Sequence, residues 1–167
     1  GLGDVYKRQE EGYIKQLCEI IKSLEKTKSK ICYICLSKPY KDVISDLKRK
    51  EIDTKRFFFI DVLTSHYKTP KSKRNCIFLK SPTNLSAIRI AIKKAVSEEK
   101  CSVVLFDTIS TLLIYQESFD IVKFTHNLLT EEKQTRKIFI VLKQDSFSEE
   151  EGKMLTKFNS CSLTEKK

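Results

Sequence analysis

An α/β fold, a three-layer arrangement with a mostly parallel sheet between helices on both faces, follows from three observations. The runs ICYICL (Ile31–Leu36), RFFFIDV (Arg56–Val62), VVLF (Val103–Phe106) and IFIVL (Ile138–Leu142) are apolar without alternation. Strands buried on both faces read this way, and such strands belong to parallel sheets. Between most of them lie segments of helical length with apolar residues three and four apart. The resulting order is helix, strand, helix, strand, loop, strand, helix, strand, helix, strand, helix, which calls for a parallel sheet with right-handed crossovers.

The elements follow in order. Residues 1–9, GLGDVYKRQ, have little apolar periodicity and hold two of the chain's four glycines. They resemble translated adapter sequence and are expected to be a non-native or disordered terminus, with residues 10–167 forming a single domain. If those nine residues are foreign, that domain is truncated at its amino end and lacks an upstream strand. From Glu10, the positions Tyr13, Leu17, Ile20, Ile21 and Leu24 predict a helix. After the strand Ile31–Leu36 and a turn at Ser37–Pro39, a helix from Tyr40 to Lys50 turns Val43, Ile44 and Leu47 inward. The strand Arg56–Val62 ends in a carboxylate, Asp61.

Residues 63–75 are polar and basic and include Pro70, a loop long enough to be a candidate for binding. Cys76–Leu79 is strand-like. Ser81 and Pro82 signal a helix start, as N-cap and first helical residue, with Leu85, Ile88, Ala91, Ile92, Ala95 and Val96 inward. Ser118–Glu132 predicts another helix, Ile138–Leu142 a strand, and Met154, Leu155 and Phe158 a weak final stripe.

Bulk properties narrow the function classes. No apolar run approaches the roughly 20 residues that cross a bilayer, and no signal peptide is visible, so no membrane partner and a cytoplasmic location are expected. Lys and Arg number 32 against 22 Asp and Glu, a net charge of +10 that attracts polyanions. Most of that charge is spread over helix faces and turns. Lys68, Lys71, Lys73 and Arg74 cluster in the long loop and are the candidate nucleic-acid contacts, against the plainer account of a solvated loop. The six cysteines are expected to be reduced core thiols. Cys32 and Cys35 have CxxC spacing, but on a strand that spacing puts them on opposite faces.

Cys101–Tyr115, CSVVLFDTISTLLIY, is the stretch expected at the centre of the sheet. It delivers Asp107 to the carboxyl end of a strand, the edge outside which open α/β sheets bind ligands. Asp61 ends a second strand, and the two acids approach one another if their strands are neighbours. Ser37, Lys38, Thr64, Thr108 and Ser110 are expected on the same rim, where they suit an anion or a hydrated magnesium ion or serve as turn and capping groups. No phosphate cradle accompanies them. Between Gly12 and Gly152 there is no glycine, so neither the Gly-rich phosphate loop nor the dinucleotide fingerprint is present there.

Three stretches together resemble the RecA-like ATPases, in particular the circadian-clock-type and recombinase-paralogue branch and its small archaeal members that lack the Walker A loop. They are Ile31–Ser65, Ile77–Ala95 and Val103–Tyr115, the last similar to a Walker B strand. The resemblance implies that Asp107 corresponds to the magnesium-associated acid and that Thr108, Ser110 and Thr111 correspond to the small polar residues after it, so that Asp107 and Thr108 are the candidate remnant of a cofactor and metal site. Active relatives often carry a catalytic acid where this chain reads Ser37-Lys38-Pro39-Tyr40. The resemblance therefore implies a non-catalytic interaction or regulatory module, with a protein partner or self-association and no cofactor. ATP and magnesium are expected only if the chain is a fragment of an active ATPase. A nucleic-acid-binding accessory protein is the further alternative.

Overall fold

A computed structural model describes residues 2–131, 134–140 and 161–163, with side chains for 14–131 and 134–139. The helices are α1 (Leu2–Glu25), α2 (Tyr40–Arg49), α3 (Thr64–Tyr67), α4 (Leu85–Ser97) and α5 (Ser118–Glu131). The strands are β1 (Ile31–Cys35), β2 (Phe57–Asp61), β3 (Cys76–Phe78), β4 (Val103–Asp107), β5 (Arg136–Ile140) and β6 (Cys161–Leu163). They form one sheet in the order β3-β2-β1-β4-β5-β6. Every pairing in it is parallel.

Alternation along each strand sorts side chains into two cores. Ile31, Tyr33, Phe57, Phe59, Val103 and Leu105 face α1 and α2, where Leu17, Ile21, Leu24, Val43 and Leu47 close over them. Cys32, Ile34, Phe58, Ile60, Val104 and Phe106 face α4 and α5, against Ile88, Ile92, Ile121 and Leu128. Both faces are therefore dry, which is why the strands of the sheet's centre carry no polar alternation. From β1 the chain steps one way through α2 to β2; from β4 it steps the other way through α5 to β5. Crossovers of one hand then require the two helices to lie on opposite faces, as they do.

Local chemistry moves several boundaries. The helix expected from Glu10 begins at Leu2; the first residues contain no proline to stop propagation of the helix toward the amino end. α4 starts at Leu85, not at Pro82. Asn84 is its N-cap, with the side-chain oxygen accepting from Ala87 N at 3.0 Å, while Ser81 Oγ accepts from Thr83 N at 3.1 Å in a separate turn. The local Asn cap thus displaces the Ser-Pro signal. The loop after β2 contains the single turn α3, and β5 begins two residues earlier than its apolar run. The expected final stripe at Met154–Phe158 lies outside the described residues.

Cys32 and Cys35 do point into opposite cores. Burial pushes both thiols well above their ordinary value, because a thiolate would be desolvated there. Cys18, Cys32, Cys35, Cys76 and Cys101 are free and buried. They behave as small apolar side chains.

Three left-handed residues, Lys28 (φ 55°), Glu51 (φ 58°) and Lys100 (φ 58°), follow α1, α2 and α4. At the second of these, Ile52 N donates to Leu47 O at 3.0 Å and Ile52 itself is buried, the hydrogen bond and apolar contact of a Schellman-type helix end.

Candidate functional site

The strand order reverses between β1 and β4, and ligands of open α/β sheets collect at the carboxyl end of such a switch point. Both strands end there in register: Cys35 lies opposite Asp61 on one side and Asp107 on the other. The two acids are therefore not on neighbouring strands. β1 separates them, which puts their Cα atoms about 10 Å apart.

The switch point is stitched closed. Leu36 N and Ser37 N donate to the Asp107 carbonyl at 3.0 and 3.1 Å. Thr108 N donates to Ser37 Oγ at 3.0 Å. The hydroxyls of Ser37, Thr108 and Thr111 then close a triangle with sides of 3.0, 2.8 and 2.9 Å. The Asp107–Thr108 peptide bond is cis. Past Thr108 the chain winds into a 3-10 helix, Ile109–Ile114, that buries Ile109 and Leu112.

Asp107 points inward. Its place in β4 matches Val103 and Leu105, so its carboxyl lies on the α1/α2 side and is only 4% exposed. Tyr33, one step down the neighbouring strand on the same face, donates its hydroxyl to Oδ2. Oδ1 has no hydrogen-bond partner among the described residues. Beside it lies a cavity of about 20 Å³ between the sheet, α1 and α2, lined by Leu17, Tyr33, Val43 and the Lys38–Asp46 pair among others, a volume close to that of one water. Lys38 Nζ is 3.2 Å from Asp46 Oδ2, so this cation is engaged by another acid. Desolvation pushes the Asp107 carboxyl up to about 7. A carboxyl raised this far is partly protonated at pH 7, with the Tyr33 hydroxyl as its side-chain hydrogen-bond partner among the described residues.

Tyr33→Phe removes that donor without changing the ring volume. It is expected to destabilise the chain by about 1–2 kcal/mol, since a buried acceptor loses the hydroxyl bound to it. Urea unfolding at pH 6 checks this; unchanged stability would mean that the hydroxyl is not bound to Asp107.

Asp61 has the opposite surroundings. It is fully buried, and its Oδ1 accepts from Leu63 N at 2.7 Å and Thr64 N at 2.8 Å. Oδ2 accepts from Tyr40 N at 2.7 Å and from the Thr64 hydroxyl. Tyr40 is the first residue of α2, so the carboxylate satisfies an orphan amide and complements the positive helix end. Thr64 is thereby part of a structural cap and does not join Ser37 and Thr108.

Lys68, Lys71, Lys73 and Arg74 are all exposed. They project from the connection between α3 and β3, at the edge of the sheet, and belong to a different region from Asp107. Beside them Tyr67 is 81% exposed and meets the His66 ring edge-on at 5.5 Å. Sequence periodicity missed Tyr67, although an aromatic residue in a polar loop is itself a signal. A separate open cleft of about 460 Å³ lies between α4 and α5, with Arg89, Asp120 and Lys123 in its lining. Gln116 Nε2 donates to Thr83 O at 2.6 Å across the same region.

Among the described residues no three His, Cys, Asp or Glu side chains come together as a metal site. No described helix is long and apolar enough to cross a membrane. Compared with protein-family models and with curated proteins, the chain matches none.

Proposed function

We propose that the chain is a RecA-like domain that has kept the sheet and lost the chemistry, and that it works as an interaction or regulatory module. The observation that carries this reading is the state of the residue corresponding to the Walker B acid. Asp107 is turned beneath α1 and α2, held partly neutral at pH 7 by burial, and bound to Tyr33. A magnesium-associated acid needs the reverse: an ionised oxygen on the ligand side of the rim. The hydroxyls on that rim spend their hydrogen bonds on one another.

Support for the interaction role comes from the segment after β4. Ile114 is 74% exposed and Phe119 70%, with Tyr115 between them also exposed. Three exposed large apolar side chains within six residues of sequence are the material of a contact surface. On this reading the partner is a protein or a second copy of the chain.

Titration calorimetry with ATP and magnesium tests the proposal. The wild-type chain and Asp107→Ala should both give no saturable heat with nucleotide at up to about 1 mM, a Kd limit corresponding to roughly −4 kcal/mol. Tight binding by the wild type that disappears in Asp107→Ala would overturn it.

A further inference from the structure

We propose that the loop joining α3 to β3 binds a single-stranded nucleic acid, with phosphates on Lys68, Lys71, Lys73 and Arg74 and an unpaired base stacked on Tyr67. The site is independent of the switch point and stands or falls apart from the RecA-like reading.

The charge pattern is the first support. Between Asp61 and Glu98 the sequence carries eight Lys or Arg residues and not one carboxylate, which accounts for most of the net charge of +10. The later ones are engaged in part: Arg89 and Lys93 pair with Glu131. The cluster in the loop, with exposed Lys80 after β3, has no ion-pair partner among the described residues. Uncompensated like charges repel one another and lower stability, so their concentration in one segment needs a compensating anion.

The second support is the way the loop is held. Its start is pinned by the Asp61 carboxylate to Leu63 and Thr64. Its end is pinned by Asn75, whose carbonyl accepts from Phe59 N at 2.8 Å and whose side chain accepts from the Tyr40 hydroxyl at 3.2 Å. Lys73 and Cys76 form a bridge. The cations between these anchors therefore project from a braced base. From Lys68 to Arg74 the chain spans at most about 20 Å, enough for several phosphates of one strand.

Tyr67 decides which polyanion. Lysines alone also guard an open sheet edge against pairing with another chain, and β3 is such an edge. An 81% exposed ring does not serve that purpose; an exposed aromatic adds to the hazard. It does serve as a platform for a base, and stacking is how sequence-tolerant single-strand binders supplement phosphate contacts. A duplex keeps its bases stacked on each other and has none to offer.

Fluorescence anisotropy with a labelled 20-mer of oligo-dT tests the proposal on the full chain. With about four phosphates neutralised, the log–log salt slope should be near −2.8, about a fifty-fold loss of affinity between 50 and 200 mM salt. The combined variant Lys68→Gln, Lys71→Gln, Lys73→Gln, Arg74→Gln should remove the binding and the slope. Tyr67→Ala should weaken binding about tenfold and leave the slope unchanged, with Tyr67→Phe close to wild type. All these side chains are exposed, so the circular dichroism of each variant should match the wild type and none should melt earlier, the combined variant melting at the same temperature or slightly higher as its like charges are removed. Salt-insensitive binding, undiminished binding by the combined variant, or a silent Tyr67→Ala would overturn the inference. Equal or tighter binding of the matched duplex, of poly-glutamate or of phosphatidylserine vesicles would do so too, by assigning the loop to another kind of anion.

Discussion

Asp107→Asn should abolish a fall in stability of about 2.5 kcal/mol that the wild-type chain undergoes between pH 5 and pH 8. The sign follows from where the proton is held. In the unfolded chain an aspartate titrates at 3.8, and in the fold burial raises it to about 7. Between those values the native state binds more protons than the unfolded state, so unfolding becomes easier as pH rises. The favourable contribution is complete below 3.8 and is lost through pH 7, with a total of about 4 kcal/mol at about 1.4 kcal/mol per unit. Asparagine is neutral throughout and has no such slope. Its unpaired amide adds an offset that is the same at every pH, so the difference in slope is the diagnostic quantity. Urea unfolding of both chains at pH 5, 6, 7 and 8 measures it. Parallel profiles would show that the Asp107 carboxyl is hydrated in the folded chain. The raised thiols contribute nothing in this window, because even their ordinary value is 9.0.

Asp61→Ala should cost about 3 kcal/mol or more, in the manner of other buried acceptors removed from a set of donors. Four donors converge on this carboxylate: the amides of Tyr40, Leu63 and Thr64 and the Thr64 hydroxyl. Removing it strands them in a site closed to water. Asp61→Asn should lie between the two, since its one oxygen still accepts. The midpoint of urea unfolding gives the magnitude, and amide exchange gives the location, with faster exchange at Leu63 and Thr64. A loss below about 1 kcal/mol would mean that the donors find other partners, in the protein or in water, once the carboxylate is gone.

These two acids also mark how far the sequence is legible. Both end an apolar strand, as Phe-Ile-Asp and Leu-Phe-Asp, and nothing in either triplet separates their fates. What separates them is the next few residues. After Asp61, Leu63 and Thr64 curl back and present their amides to the carboxylate. After Asp107 the chain turns to Ser37 and carries its amides away. Such a turn depends on partners 71 residues distant in sequence, Ser37 and Thr108, and no periodicity reports it. The sheet was legible for the opposite reason. Ile31–Cys35 and Val103–Phe106 are buried on both faces, and a continuous apolar run has few other uses at that length. Boundaries failed where two local signals competed, as Ser81-Pro82 did with Asn84. The loop cations were visible as a cluster, but the absence of any carboxylate from Val62 to Ser97 is a longer-range pattern, and Tyr67 acquires meaning only once its exposure is known.

The left-handed residues Lys28, Glu51 and Lys100 have a consequence for how the molecule can change over time. Each follows a helix and precedes the entry to a strand, on the rim opposite Asp61, Asp107 and Ser37. Each holds a side chain where glycine would sit at a saving of about 1 kcal/mol. The lower rim therefore holds unused stability, available one residue at a time and at the opposite end of the strands from Asp61 and Asp107. At the upper rim the Ser37, Thr108 and Thr111 hydroxyls bind one another, and the nearby amides donate to Ser37, to the Asp107 carbonyl and to the Asp61 carboxylate. Variation that loosens the upper rim to gain or alter a contact can be offset below without the two changes touching. The fold keeps this reserve and the hydrogen-bonded switch point at opposite ends of the same strands.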